Sequence, residues 1–349
     1  MNKDCLHLEK RIERSSCRRI TAKELSINWL KRLSFSSNKH HAQLVQLWLG
    51  IFAVNWRQLP NPVWLNRQIA TIENFQFSTY PKLLAALLED PAILHSLNGF
   101  SNHQKNPNEN LGREVLELYS LGESNYSEAD VQQVALALTG YRLNQKQEVV
   151  LIPHRHDQGQ QTILGLTANF NTHKLAFWLC KQPATSIHIC KRVWKSWIGT
   201  DPSSKSLKNF ASSWYQNNLS LPWLYSNLPK QEEAIQSSEL GLRLLDPIQV
   251  VARSLELLGS HHPNAFKIGL SIQSSMGQPP FAPPSVKGWP QGEEWLLNRW
   301  MAARKRGLLR LLADEEVWSS RSLPVELKRS LVPFDPINLS LPTKPSREN

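Results

Sequence analysis

The sequence predicts a mainly α fold: an irregular multi-helix array with one Pro/Gly-rich loop and little or no sheet. Apolar residues recur at three- and four-residue spacings along most of the chain, the period of an amphipathic helix. Helix start and stop residues bracket these stretches, with Ser, Asp or Pro in front and Gly or Pro behind. Strand and helix patterns do not alternate, which argues against a doubly wound parallel sheet, and no block repeats at a fixed period.

The first helical pattern is TAKELSINWLKRLSF, residues 21–35. HAQLVQLWLGIF, residues 41–52, follows, with Leu44, Leu47, Trp48 and Ile51 on one face. YPKLLAALLED, residues 80–90, opens at Pro81 and closes before Pro91. NPNENLGREVLELYSLG, residues 106–122, reads as a helix stopped by Gly122. SEADVQQVALALTG, residues 127–140, carries a capping-box pair at Ser127 and Asp130 and stops at Gly140. The pattern breaks over residues 144–170, where EVVLIP suggests a short strand or extended segment leading into HRHDQGQQTILG, residues 154–165. Helices resume at NTHKLAFWLC, residues 171–180, and at ATSIHICKRVWKSWIG, residues 184–199. In the second of these Ile187, Cys190, Trp194 and Trp197 line one face, and His188, Lys191 and Lys195 another. LPWLYSNL and DPIQVVARSLELLG, residues 221–228 and 246–259, are two more helices separated by polar stretches. SSMGQPPFAPPSVKGWPQG, residues 274–292, is too rich in Pro and Gly for regular structure. A last amphipathic helix is expected over residues 293–316, bent near Gly307. The resulting division is a charged segment 1–20, a single helical domain 21–322 and a flexible Pro/Ser-rich tail 323–349.

At 349 residues and 41% hydrophobic content the chain can bury a sizeable core, and its thirteen tryptophans supply much of the packing mass. The longest apolar run, LVQLWLGIFAVNW from Leu44, is too short and too often interrupted to span a membrane. MNKDCLHLEKRIERSSCRRI has no apolar core of a secretory signal, so a cytoplasmic setting is expected. Four cysteines without a CxxC pair (Cys5, Cys17, Cys180 and Cys190) point to reduced, structural thiols. The formal net charge of +11 favours acidic partners as a bulk field, concentrated in the first 40 positions, in 191–195 and in RWMAARKRGLLR. No RNP motif, zinc finger or helix-turn-helix signature accompanies that charge, so nucleic acid is not the expected partner.

Three places could carry chemistry. On the helix that includes Leu111, Val115, Leu118, Leu116 and Tyr119, Arg113 and Glu117 lie opposite the apolar sector. Glu114 falls at the edge of that sector. A carboxylate there is either a general acid or base with a raised pKa, or one half of a structural pair with an arginine of the next segment. In the 154–165 loop, His154, His156 and Asp157 offer up to three ligands for a borderline metal such as zinc. The same His156 and Asp157 could instead cap helix ends. Trp289, with Lys287 beside it, could line a cleft and stack on a sugar or base, or it could plug a gap between helices. No GxSxG, HExxH, Walker or GxGxxG motif supports a nucleophile, and the sequence leaves any cofactor unknown.

Four blocks in order resemble one bacterial family, the domain of unknown function 1800. They are NPNENLGREVLELYSLGESNYSEADVQQVALALTGY, HRHDQGQQTILG, QPATSIHICKRVWKSWI and GQPPFAPPSVKGWPQGEEWL, and the likeness runs over roughly residues 20–312. The Asn-Glu-Asn-x-x-Arg-Glu element and the Val-Lys-Gly-Trp-Pro loop are its most specific parts. The resemblance implies a mainly helical protein with no established activity. It also implies that many relatives are exported, and that many are encoded beside a sulfatase- or phosphatase-like protein, a candidate partner. Relatives often carry an early Trp-His-Asn-His-Phe element. Here WLGIF stands in its place, with Leu49 and Ile51 where the histidines would be, so half of any site built from that element and the Arg-His-Asp loop is missing.

The expectation is therefore a degenerate or non-catalytic member with a binding or assembly role, Arg113, Arg155, Lys287 and Trp289 being the binding candidates. One alternative is a hydrolase using Glu114, His156 and Asp157, with or without a metal. Another is a basic surface that binds an anionic polymer or lipid.

Overall fold

The computed structural model describes residues 21–240 and 245–322. The charged segment 1–20, with Cys5 and Cys17, and the tail 323–349 lie outside the described residues. The expected mainly α architecture is present: sixteen α-helices and two antiparallel two-stranded hairpins among the described residues.

The N-terminal half opens with α1 (Ala22–Phe35), α2 (Lys39–Ile51), α3 (Val63–Phe75), α4 (Tyr80–Leu88) and α5 (Pro91–Ser96). A capping box at Thr21 and Glu24 starts α1, and Asp90 caps α5 by accepting from the N–H groups of Ala92 and Ile93. Next come α6 (Glu109–Glu117) and α7 (Glu128–Ala137), the latter with the expected Ser127–Asp130 capping box. The 106–122 helix is shorter than its apolar pattern. After Glu117 the chain tightens into a turn in which the Ser120 hydroxyl donates to Val115 O, and Gly122, at φ +79, closes it.

The break at 144–170 holds both hairpins. Strand β1 (Tyr141–Leu143) pairs with β2 (Val149–Leu151), the segment expected to be extended. Strand β3 (Gln161–Ile163) pairs with β4 (Leu166–Ala168) across Leu164 and Gly165, both at positive φ, the turn a two-residue hairpin requires.

The second half contains α8 (Thr172–Cys180), α9 (Pro183–Ile198), α10 (Ser204–Gln216), α11 (Leu221–Asn227), α12 (Glu232–Glu239), α13 (Pro247–Leu258), α14 (Pro263–Ser275), α15 (Asn298–Ala313) and α16 (Glu315–Ser319). On α9 the fully buried apolar residues are Ile189, Cys190, Val193 and Trp194, so the buried stripe is rotated from the expected one and Ile187 and Trp197 sit at its margin. The last helix runs without interruption through Gly307. The breaks fall at Leu297 and Asp314, and Gly307 is where α15 meets α14, since a Cβ there would lie 2.7 Å from Ile272 Cγ1.

Helices α13 and α14 pack back onto α1, so the C-terminal helices cover the N-terminal ones, while α4 lies against α8 and α9 touches α2. Buried apolar residues from Trp29 to Val317 form one connected cluster. At its centre is an aromatic group: Phe52 stacks on Tyr119 at 4.7 Å, Trp48 on Tyr80 at 5.6 Å, and Trp214 closes on Tyr80 at 6.0 Å. Leu49 and Ile51 belong to this core, 3% and 0% exposed. No helix among the described residues is long and apolar enough to cross a membrane.

Candidate functional site

The Arg-His-Asp loop is held down by backbone and side-chain bonds. His156 is buried, and its Nδ1 lies 3.0 Å from the Thr139 carbonyl, to which an Nδ1–H donates. The Asp157 N–H donates to the Thr139 hydroxyl, and the Asp157 carboxylate accepts from Gln161 Nε2 at 2.7 Å. Gln104 reaches the same loop, its N–H donating to the Arg155 carbonyl and its amide to that of His154. The seat is the turn ending α7. Gly140 has φ +88, and a Cβ there would stand 2.8 Å from the His156 backbone nitrogen. His154 and Arg155 are exposed, turned away from the buried His156. Among the described residues, no three His, Cys, Asp or Glu side chains gather as a metal's ligands would.

Glu114 occupies a different place. Its Oε2 is buried without a hydrogen-bond partner, and no bond or ion pair joins it to His156 or Asp157 among the described residues. Burial raises its pKa, the Glu117 carboxylate adds to that, and Lys287 and Arg113 oppose it. The pairing expected between α6 and the next segment is made by Arg113 instead, whose guanidinium holds Glu128 at 2.8 and 2.6 Å. Glu117, expected on the open face, is covered: Lys287 Nζ sits 3.0 Å from it and the Tyr126 hydroxyl donates to it. Burial pulls Glu117 up, but the Lys287 bond and charge, together with hydrogen bonds to Tyr126 and Glu123, hold the carboxyl below its ordinary value.

Residues far along the chain complete this corner. Arg192, from α9, donates to the Leu118 carbonyl at 2.7 Å and reaches the Lys287 carbonyl at 3.5 Å. His188, one turn earlier on α9, contacts the same Leu118 carbonyl at 3.4 Å, and burial lowers its pKa to about 4. The Tyr119 hydroxyl is buried without a hydrogen-bond partner; burial pushes its phenol up, with Arg192 opposing and Glu114 adding. Of the expected residues, Glu114 and Lys287 therefore share a corner, His156 and Asp157 occupy another, Arg113 pairs with the exposed Glu128, and Arg155 is exposed.

The Pro/Gly-rich loop separates that corner from an open cleft. Gly288, at φ +101, presses on α2, where a Cβ would lie 2.7 Å from Gly50 O. On one side of this contact is Lys287. On the other, Trp289, Pro290 and Gln291 border a cleft of about 1020 Å³ between α2, the end of α9 and α13. Trp289 is half-buried there, and its Nε1 is buried without a hydrogen-bond partner. The sequence singled out Trp289 but not the opposite walls, which come from segments up to about 250 residues away.

Comparison with known proteins places this geometry in context. The profile of the family described as "Protein of unknown function (DUF1800)" matches residues 6–338, nearly the whole chain. Searches of curated proteins and of solved structures returned no match.

Proposed function

Since the chain belongs to the DUF1800 family, whose description gives no activity, we propose from its own geometry that it is a binding or assembly protein, and that it binds in the cleft beside Trp289. The observation that carries this is the cleft itself, about 1020 Å³ with mixed polar and apolar walls, at the upper end of the size of ligand sites. Among the described residues no bond joins Glu114 to His156 or Asp157, and Leu49 and Ile51 are buried in the core, both of which support the binding reading. General acid–base chemistry needs its groups within reach of one substrate.

The test uses the uncharged fluorescent dye N-phenyl-1-naphthylamine as probe. Gly50 lines the cleft and a Cβ on it meets nothing within 4 Å, so Gly50→Phe fills space without a clash at its root. Dye binding weakens tenfold or more in Gly50→Phe while helical circular dichroism is retained. Equal dye binding by the two proteins contradicts the reading.

The hydrolytic alternative rests on the half-buried Glu114 and on His156, and metal analysis separates it. Stoichiometric metal in the purified protein, lost on His156→Ala, overturns the binding-only reading. A second reading is favoured by Lys305, Arg306 and Arg310, all exposed on α15: this face would bind an anionic polymer or lipid surface, with affinity falling steeply as salt rises.

A further inference from the structure

We infer that the ligand of the cleft is an uncharged oligosaccharide, an assignment that rests on the cleft reading and adds the chemistry of the occupant. Three tryptophans border the cleft, Trp197, Trp289 and Trp295. Flat aromatic faces suit the C–H faces of sugar rings. Trp289 Nε1 is itself buried and Trp295 is buried too, so the half-buried rings of Trp197 and Trp289 are the faces the cleft offers.

Side-chain amides make up much of the polar wall. Gln46 and Gln249 spend their carbonyl oxygens inside the fold, accepting from Trp29 Nε1 at 2.7 Å and from the Asp246 N–H at 3.3 Å. Each therefore turns an amide NH₂, a pure donor, to the cleft that both line. Gln43 adds an exposed amide from the next turn of α2. Hydroxyl groups, which both donate and accept, match such a wall; a hydrocarbon chain would leave it unsatisfied.

Charge argues against an ionic ligand. Lys39 is paired with Glu256, and Lys195 is 3.3 Å from Asp201. Of the other two charged residues on the wall, Asp246 is engaged in capping α13 and Arg253 is a single exposed cation. No uncompensated cluster remains to hold a phosphate, sulfate or carboxylate. The volume of about 1020 Å³ exceeds what one sugar ring fills and suits several in a row.

Isothermal titration with cellohexaose, maltohexaose, laminarihexaose and N-acetylchitohexaose tests the assignment. At least one hexasaccharide binds saturably, and its monosaccharide binds at least a hundredfold more weakly. Trp289→Ala weakens that binding tenfold or more, Trp289→Phe keeps most of it, and Gly50→Phe abolishes it. An outcome in which Gly50→Phe blocks the dye but no hexasaccharide binds or displaces it overturns the sugar assignment and leaves the cleft reading standing. Displacement of the dye by a neutral hexapeptide alone does the same and points to extended peptide. If Gly50→Phe changes neither dye nor sugar binding, both readings fall.

Discussion

Asp90 and His188 show how burial of single groups gives the protein a pH-dependent stability. Asp90 caps α5, yet its other oxygen is buried without a partner, and burial raises its pKa to about 7 against two backbone bonds that lower it. A carboxyl raised in the folded state contributes most below its ordinary value of 3.8 and loses stability as pH rises toward 7. His188 has the opposite sign. Its pKa falls from 6.5 to about 4, so stability is lost as pH drops through that window. Relative to the parent, Asp90→Asn gains stability as pH rises from about 4 to 7, and His188→Gln gains as pH falls from about 6.5 to 4. Urea unfolding at several pH values measures both, and parallel curves for parent and variants contradict the account. The edge position of Glu114 was legible from helical spacing alone. Its neighbours Lys287, Arg192 and Tyr119 were not, because a one-dimensional pattern places a residue on a face but does not say which distant segment covers it.

At the scale of elements, two glycines on helices act in opposite ways. Gly112 lets α6 close onto α7: a Cβ there would stand 2.5 Å from the Val131 carbonyl. Gly112→Ala therefore forces the helices apart and costs roughly 1–3 kcal/mol. Gly50 faces open space, so Gly50→Ala raises helix propensity and stabilises by roughly 0.5–1 kcal/mol. Thermal unfolding of both variants reads the contrast, and a shift of the same sign in both contradicts it. Helices such as α7, with Ser127 and Asp130 at its start and Gly140 beyond its end, were legible because their signals are local. The β3–β4 hairpin was less so. Its turn, Leu164–Gly165, lacks the Asn-Gly or Asp-Gly pair that marks such turns most strongly. Helix α10 is not among the helices expected from the sequence, although Leu207, Phe210, Ala211 and Trp214 fall on one buried face.

Across the whole molecule, the chain folds its C-terminal helices α13 and α14 onto α1, and this closure sets one wall of the cleft against another. Mainly α architecture followed from periodicity, whereas the cleft depends on α2, α9, α13 and the 285–292 loop meeting in space, which no local pattern encodes. The loop links the two regions: Lys287 anchors it to Glu117, Gly288 rests on Gly50, and Trp289 borders the cleft. Lys287→Ala accordingly loosens the loop and weakens dye binding, although Lys287 touches no part of the cleft wall. The most direct test of the cleft is fluorine NMR of the 5-fluorotryptophan-labelled chain, with signals assigned by single Trp→Phe substitutions and the dye added stepwise. The account predicts that the signals of Trp197, Trp289 and Trp295 shift together while those of Trp64 and Trp214, buried elsewhere in the core, stay fixed. Shifts at Trp64 or Trp214 with the three cleft signals unmoved would contradict it.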